Sequence, residues 1–539
     1  MSAIAFARLG ELFAPLASLL AAGGDTRLRL DPASLLNGYG CRPFPRPEAF
    51  TFASSTATSI SERAFRAAEA AHEDLVREAL RDGLEPAVEA RVEALRAGLL
   101  DLLGLAGSGT EVVFSPSGTD SALYALFLAR ARLGTPMTSL VAAADETGSG
   151  VAHASSGRHF STLTAQGAAV EKGSPVAGLA EGVASLGVRL REAGRARPPA
   201  ETDGAVLAAV DQAVAAGSGV LLHVMDHSKL GARSPSHACL AEIRRRHGDR
   251  VQIAIDACQL RLSRNRLAAH LAQGDMAMIT GSKFFTGPPF SGALLVPAAL
   301  ARRLGALSSL PAGLADYTSR SDWPRAWSGL RDGLAERANL GQLLRWTAAL
   351  AEMRDYFAVP ESFRRTALAR FAAVVPGLIA GEEALELLPE CRRPGAEEDA
   401  AIDGEMAVRT IFPFLVRRAG RVLGHADCIS LYRALNADVS GLLPAGSTAH
   451  QRRVAAQLCH IGQPVALTLP SAAAAAALRI GAGARIVSET WSAAGEAASF
   501  AALEREFDQI RLILEKLALL LRHFDAVARA FAPAKEAAA

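Results

Sequence analysis

Three short apolar runs, close together in the chain, constrain the fold more than any other feature of the sequence. They are residues 251–255, Met276–Thr280 and Gly292–Val296, and the segments between them are richer in polar residues, glycine and proline. Runs of this length and composition are typical of buried β-strands. Because open α/β sheets bind ligands at the carboxyl ends of such strands, the residues that follow these runs are the first candidates for a site.

An acid and a lysine follow two of these runs. Asp256 comes directly after the first run, and Lys283 lies in a tight loop just past the second. Each residue alone has an ordinary explanation, because an aspartate after a strand is usually a turn or cap former and a loop lysine is usually solvated. Together on neighbouring strand ends they suit pyridoxal phosphate, whose aldehyde forms a Schiff base with a lysine and whose ring nitrogen is kept protonated by a carboxylate.

The residues around this pair resemble the class V aminotransferase and cysteine desulfurase family of fold-type I pyridoxal phosphate-dependent enzymes. The family pattern is matched by Asp256-Ala257-Cys258-Gln259 and by Thr280-Gly281-Ser282-Lys283 with Gly287-Pro288. The resemblance implies that Lys283 is the catalytic residue and is joined to the cofactor, and that Asp256, Gln259, Thr280 and Ser282 contact the cofactor. Gln259 would donate a hydrogen bond to the ring hydroxyl. Ser282 departs from the family, which usually has His at that place.

A strand, a polar turn and a helix start at residues 111–133 predict a phosphate site. Residues 111–114 are strand-like, residues 115–121 are mostly small and polar, and an apolar helix follows over 122–133. Such a turn presents free backbone N–H groups to a phosphate, although a helix capped by Asp120 fits the spacing at least as well. The resemblance to the family's Ser-Gly-Thr-Thr-Glu loop implies that Gly118 and Thr119 bind the cofactor phosphate. We expect Asp120 to cap the helix, since a carboxylate beside a phosphate is repulsive.

Two further segments bear on the cofactor ring. Residues 139–144 are strand-like and lead to Glu146-Thr147, where the family commonly has Glu-His with the imidazole stacked on the ring. The resemblance therefore implies that Thr147, or an aromatic residue from elsewhere, covers the ring. Lys229 follows the apolar run Gly219–Met225 and is a rival for the aldehyde, but it lacks the Gly-Pro turn and the family pattern of Lys283.

Arg479 lies inside an apolar segment near the carboxyl terminus. A buried guanidinium needs an anion, and its fork matches an α-carboxylate; a surface strand with the arginine facing outward is the alternative. The family places its substrate-carboxylate arginine in a similar segment, which implies that Arg479 binds substrate. Desulfurases of the family also carry a nucleophilic cysteine upstream. Here Ile461 occupies that place and Cys459 comes two positions early, so cysteine desulfuration is disfavoured.

Composition excludes several classes of protein. Of the 539 residues, 50% are hydrophobic and 21% are charged, and the formal net charge is +2, so we expect neither extensive disorder nor a nucleic-acid surface. The six scattered cysteines form no CxxC pair, which argues against a zinc site or a disulfide framework and fits a reducing cytoplasm. The first 25 residues resemble neither a signal peptide nor a membrane span, so we expect a cytoplasmic protein.

The resemblance implies an α/β fold with a three-layer fold-type I large domain, built on a mixed, mostly parallel sheet, and a smaller α+β C-terminal domain. We expect an N-terminal helix and active-site-mouth segment at 1–60 and the cofactor-binding domain at 61–355, with an insertion at about 167–217. The small domain, with a long terminal helix, would occupy 356–539. Helical periodicity extends from about residue 61 to 103.

The leading hypothesis is a pyridoxal phosphate-dependent, aminotransferase-like enzyme that acts on an amino acid or amine through Lys283 and works as a homodimer. A lyase of the same family, performing β-elimination or C–S cleavage without a catalytic cysteine, is the runner-up because both reactions use the same residues. A non-catalytic ligand-binding protein of the same fold is the third hypothesis, and the intact set of Asp256, Gln259 and Lys283 argues against it. No dinucleotide or P-loop glycine motif follows a strand, so we set nucleotide enzymes aside.

Overall fold

The computed structural model describes residues 10–192, 195–389, 401–469 and 472–533. Its strands, in chain order, are β1 (Ala49–Phe52), β2 (Glu111–Ser115), β3 (Met137–Ala142), β4 (Val183–Val188), β5 (Arg191–Glu192), β6 (Arg195–Ala196), β7 (Gly219–Met225), β8 (Val251–Ala257), β9 (Met276–Thr280), β10 (Gly292–Val296), β11 (Leu385–Leu387), β12 (Ile411–Arg418), β13 (Arg421–Val422), β14 (Leu458–Leu469) and β15 (Ala472–Gly481).

The central sheet has seven strands in the order β2-β10-β9-β8-β7-β3-β4. Within this sheet β10 runs antiparallel to both of its neighbours, and the other strands are parallel. Every residue of β3, β7, β8, β9 and β10 is buried, because helices cover both faces. Strands buried on both faces are mostly apolar rather than alternating, which is why they stand out in the sequence, although they include a few polar residues such as Thr138 and Asp256.

The α-helices, in chain order, are α1 (Leu16–Leu20), α2 (Glu62–Asp82), α3 (Leu84–Leu102), α4 (Gly118–Leu133), α5 (Val151–Ala154), α6 (Pro199–Ala215), α7 (His237–His247), α8 (Arg264–Ala272), α9 (Ala298–Leu304), α10 (Ser328–Asp332), α11 (Leu340–Ala358), α12 (Glu361–Ala380), α13 (His425–Leu435), α14 (Ala449–Ala456), α15 (Arg485–Ser488), α16 (Glu496–Arg522) and α17 (Phe524–Phe531). Helix α4 packs on one face of the central sheet, and α6, α7, α8 and α11 pack on the other.

The helical stretch predicted over 61–103 is two helices. Gly83 separates α2 from α3 with φ 95° and ψ 151°, a conformation that glycine adopts at little cost. The Ser61 side chain accepts a hydrogen bond from the Ala64 backbone N–H and so fixes the start of α2. Apolar periodicity continues across the break because both helices bury residues in the same core, so the pattern alone did not reveal it.

A second, six-stranded sheet lies in the carboxyl-terminal part. Its order is β1-β14-β15-β12-β11, and β13 pairs with β12. Strand β1 comes from the N-terminal segment and lies parallel to β14, with Phe52 opposite Ile461. Helices α12 and α13 contact this sheet, and α16 packs against both of them. The predicted fold class, a mostly parallel α/β sheet with a smaller α+β part, is confirmed.

The segment 167–217, predicted as an insertion, contributes to the central sheet itself. It contains the edge strand β4, which is parallel to β3, and helix α6, which packs on β3 and β7. Part of the predicted N-terminal segment (residues 1–9), part of the predicted small domain (residues 534–539) and one of the six cysteines, Cys391, lie outside the described residues. Among the described helices, none has the length and apolar character needed to cross a membrane.

Candidate active site

Asp256 and Lys283 lie at the same edge of the central sheet, at the ends of the adjacent parallel strands β8 and β9. In the ladder Asp256 is opposite Met278, two residues before β9 ends. Beyond the strands the two segments stay together: Thr280 Oγ1 donates to the carbonyl of Cys258 at 2.7 Å, and the Phe284 N–H donates to the carbonyl of Gln259 at 3.3 Å. The two sequence motifs are therefore neighbours in space.

The carboxylate of Asp256 is buried without a cationic partner. Its side chain belongs to a residue that is 9% exposed, and Oδ1 accepts a hydrogen bond from the Cys258 backbone N–H at 3.2 Å. The Cys258 thiol also interacts with this carboxylate, but no cation among the described residues forms an ion pair with it. A buried carboxylate is costly unless a positive group compensates its charge, so Asp256 is suited to a cationic N–H of a ligand.

The loop that carries Lys283 is fixed by close packing against α11. A Cβ on Gly281 would lie 2.6 Å from the Ala349 Cβ, and one on Gly287 would lie 2.7 Å from it, so both positions require glycine. The Gly287 N–H donates to the carbonyl of Gly281 at 2.9 Å and closes the loop. Ser282 is buried here, and the partly buried Lys283 ammonium makes no hydrogen bond or ion pair with a described residue.

The amino terminus of α4 approaches the same strand end. A Cβ on Gly118 would overlap the sulfur of Cys258, which follows Asp256 by two residues. Burial raises the pKa of the Cys258 thiol well above its usual value, the Asp256 carboxylate raises it further, and Lys283 opposes the shift. Cys258 therefore packs as a neutral thiol between the helix start and the strand ends.

Ser117, and not Asp120, caps this helix. The Ser117 hydroxyl accepts hydrogen bonds from the backbone N–H groups of Thr119 and Asp120, at 3.2 and 3.3 Å. The same hydroxyl donates to Asp120 Oδ2 at 2.5 Å, so Asp120, which the sequence predicted as the cap, instead orients the Ser117 side chain. Burial raises the pKa of Asp120 to about 7, and its bond from Ser117 opposes that rise. A carboxyl that is easily protonated adds less repulsion toward a nearby anion than a fully ionised one.

Arg27 also reaches this helix start, which the sequence did not indicate. Its Nη2 donates to Ser117 Oγ at 3.3 Å, and its guanidinium forms a fork with the Asp25 carboxylate, the shortest N···O distance being 2.6 Å. The guanidinium lies 4.9 Å from the centre of the Phe290 ring. The contact joins residues 90 positions apart, so no local pattern reveals it.

Thr147 and Lys229 lie on a connected turn near these residues. The Lys229 N–H donates to the Glu146 carbonyl at 3.2 Å. The Glu146 carboxylate is held by Arg191 and by the Ser228 hydroxyl. Thr147 is 9% exposed and its buried hydroxyl has no hydrogen-bond partner in the described part of the chain, as expected of a group that faces a ligand.

Gln259 and Arg479 meet at one backbone carbonyl. Gln259 Nε2 donates to the Ser55 carbonyl at 2.9 Å, and Arg479 Nη1 donates to the same oxygen at 3.4 Å. The predicted site residues are thus linked: the Asp256–Gln259 segment to Ser55, Ser55 to Arg479, and Arg479 to the carbonyl of Lys229 at 3.1 Å.

The site has an excess of positive charge. Arg261 is fully buried, and its side chain donates to the Thr410 and Ser54 hydroxyls and to backbone rather than to a carboxylate. Burial, together with the nearby charge of Arg479, lowers the pKa of Arg261 to about 9. Burial also lowers the pKa of Arg479 to about 10. Lys283 and Lys229 also form no ion pair with any residue that the structure describes, and together these cations favour an anionic ligand.

No family model matches the chain, and no curated protein matches it. Solved structures do. The cystine C–S lyase C-DES in complex with its product cysteine persulfide has 14% identity and a TM-score of 0.49, over 85% of this chain and 97% of that one. The cysteine desulfurase CsdA of Escherichia coli has 15% identity and a TM-score of 0.44, over 87% and 95%. Oryza sativa TDC with PLP and tryptamine has 14% identity and a TM-score of 0.45, over 84% and 81%. Similarity at this level assigns no activity to the chain.

Proposed function

We propose that the chain is a pyridoxal phosphate-dependent enzyme that acts on an amino acid or amine through Lys283. One observation carries the proposal: the buried Asp256 carboxylate and the Lys283 amine, neither of which forms an ion pair in the described part of the chain, lie at adjacent strand ends beside the start of α4. A pyridinium N–H would pair with the carboxylate, an aldehyde would react with the amine, and a phosphate would bind at the helix start. The combination of the three features, and not any one of them, points to this cofactor.

The residues of the site fit this group. Asp256 would hold the ring nitrogen, Gly118 and Thr119 the phosphate at the α4 start, and Gln259 the ring hydroxyl. Thr280, Ser282 and Thr147 would line the ring. Arg27, next to Ser117, would lie near the phosphate position as a donor whose charge is shared with Asp25. When bound, the cofactor supplies an aldehyde that joins the lysine and a ring that withdraws electrons from the substrate.

Lys283 is the residue that moves protons. With cofactor and substrate bound, the Lys283 amine would take the proton from the substrate Cα. Amino-group transfer, the reaction we favour, would require Lys283 to return the proton on the cofactor side of the transferred nitrogen, with water supplying the oxygen of the keto acid. Loss of a substrate leaving group instead gives elimination, the second candidate, since both begin with the same proton transfer.

Cysteine desulfuration remains disfavoured because Cys459 is sequestered. Its residue is 0% exposed and lies in β14, opposite Phe50 of β1, where its thiol donates to the carbonyl of Gln457 at 3.6 Å. Burial raises the pKa of this thiol to about 11, which Lys516 partly opposes, so it is protonated at neutral pH.

We further propose a cytoplasmic homodimer, in keeping with the sequence.

The test is visible absorbance of the purified protein with pyridoxal phosphate. The wild-type chain and Lys172→Ala, a variant of an exposed lysine, should show the band of a lysine-bound aldehyde, and Lys283→Ala should not. Incubation with amino acids then separates the two reactions: a keto acid with the amino group retained indicates transfer, and released ammonia indicates elimination. A band without either product from any amino acid or amine supports the binding-protein hypothesis.

A further inference from the structure

Arg479, predicted to bind the substrate carboxylate, has no donor left for a ligand. Nε and Nη2 donate to the carbonyl of Gln463 at 3.0 and 2.7 Å, and Nη2 also donates to Thr56 Oγ1 at 2.7 Å. Nη1 donates to the carbonyls of Lys229 and Ser55 at 3.1 and 3.4 Å. The residue is 2% exposed. Every N–H group of the guanidinium is therefore used within the protein, and a carboxylate would have to break existing bonds to reach it.

Lys229 is in the opposite situation. Its backbone is held on both sides, because its N–H donates to Glu146 and its carbonyl accepts from Arg479. Its ammonium makes no hydrogen bond or ion pair with any residue that the structure describes. The nearby carboxylate of Glu146 is already engaged by Arg191 and Ser228. Because its backbone is fixed and its ammonium has no bond to a described residue, Lys229 is suited to bind an anionic ligand.

Hydrogen bonds connect Lys229 to the loop of the reacting lysine. Arg479 Nη1 donates to the carbonyls of Lys229 and Ser55, Gln259 Nε2 also donates to the Ser55 carbonyl, and the Gln259 carbonyl accepts from the N–H of Phe284, the residue after Lys283. Burial lowers the pKa of Lys229 to about 8; Arg479, Lys283 and Arg27 lower it as well, and Glu146 opposes them. Lys229 is therefore mostly protonated at neutral pH, within electrostatic reach of Lys283. An amino acid whose nitrogen has displaced Lys283 carries its carboxylate only two bonds from that nitrogen, so a cation close to Lys283 is placed to meet it.

We propose that Lys229 receives the α-carboxylate of the substrate, and that Arg479 is a positioning residue that holds Lys229 and the Ser55–Thr56 turn. The proposal rests on the proposed function and narrows it, because a carboxylate receptor selects amino acids over simple amines. It also gives a role to the second lysine of the site.

The test compares ligands that differ only by the carboxylate. Dissociation constants are measured from the absorbance change of the cofactor-loaded protein for three pairs: glycine and methylamine, L-alanine and ethylamine, L-phenylalanine and 2-phenylethylamine. The wild-type protein should bind the amino acid of at least one pair more tightly than its amine. Lys229→Met should weaken amino-acid binding roughly 10- to 100-fold, the loss expected for one charged hydrogen bond, and change amine binding less than about twofold.

Two variants complete the experiment. Lys229→Arg keeps the charge and should retain most of the preference, and the exposed Lys172→Met should behave as the wild type. If Lys229→Met does not fold, Lys229→Gln takes its place. The inference is overturned if the wild type prefers no amino acid over its amine, or if the preference survives the loss of the Lys229 charge. A wild-type protein without the lysine-aldehyde band would instead refute the proposed function itself.

Discussion

The sulfur of Cys258 fills the space beside the Cα of Gly118, so that a methyl group there would overlap it. This contact sets how closely the start of α4 approaches the end of β8. It connects the predicted phosphate loop to the predicted ring-nitrogen carboxylate, because Cys258 follows Asp256 by two residues and donates its backbone N–H to that carboxylate at 3.2 Å.

Gly118→Ala should therefore weaken cofactor binding. The added methyl group must move either the helix start or Cys258, and both lie against the proposed site. We expect the dissociation constant for pyridoxal phosphate to rise at least about 10-fold, since small displacements in a site are costly. Gly204→Ala is the matched control: Gly204 is also in a helix, α6, and a Cβ there would meet nothing within 4 Å. Equal affinity of Gly118→Ala and the wild type would contradict the predicted phosphate loop.

Arg479→Met should destabilise the protein more than a typical surface change. The substitution leaves the carbonyls of Gln463 and Lys229 without this donor, and it removes one of the two donors to the Ser55 carbonyl, which Gln259 also contacts. Unanswered buried acceptors cost about 1–3 kcal/mol each, so we expect a loss of a few kcal/mol in the free energy of unfolding, measured with denaturant. Arg453→Met, at an exposed arginine, should change it by less than about 0.5 kcal/mol. An Arg479→Met protein of unchanged stability would show that these bonds do not hold the site together.

His223 should make the protein sensitive to acid. This residue of β7 is 2% exposed, and neither ring nitrogen has a hydrogen-bond partner among the described residues. Burial lowers its pKa to about 4. The unfolded chain, with a histidine pKa of about 6.5, then binds more protons than the folded one between these two values, so stability is lost as the pH falls through that window.

His223→Leu removes the proton uptake of this histidine on unfolding. The substitution should therefore reduce the acid-induced loss of unfolding free energy by up to about 3 kcal/mol. It should not lower stability at neutral pH, because it also removes two unanswered polar atoms from the core. Denaturant titrations at several pH values between 7 and 4 measure both effects, and the exposed His425→Leu serves as control. An unchanged pH profile for His223→Leu would mean that His223 is not neutral in the folded state.

Elements that are buried on both sides were predictable from the sequence, and long-range side-chain contacts were not. The runs at Met276–Thr280, Gly292–Val296 and Gly219–Met225 have in the structure the same bounds as in the prediction, because glycine, proline or polar residues flank each apolar strand. Arg27 was missed because its partner at Ser117 is 90 residues away. For Arg479, the apolar segment and the family resemblance predicted a substrate carboxylate, whereas backbone carbonyls and the Thr56 hydroxyl occupy its donors, and a sequence pattern cannot distinguish the two.

The most direct test of the central claim is the position of the covalent bond. Protein loaded with pyridoxal phosphate is reduced with borohydride, digested and analysed by mass spectrometry. We predict a single modified lysine, Lys283, and no stoichiometric label in Lys283→Ala. A label on Lys229, or no label at all in the wild-type protein, would contradict the account.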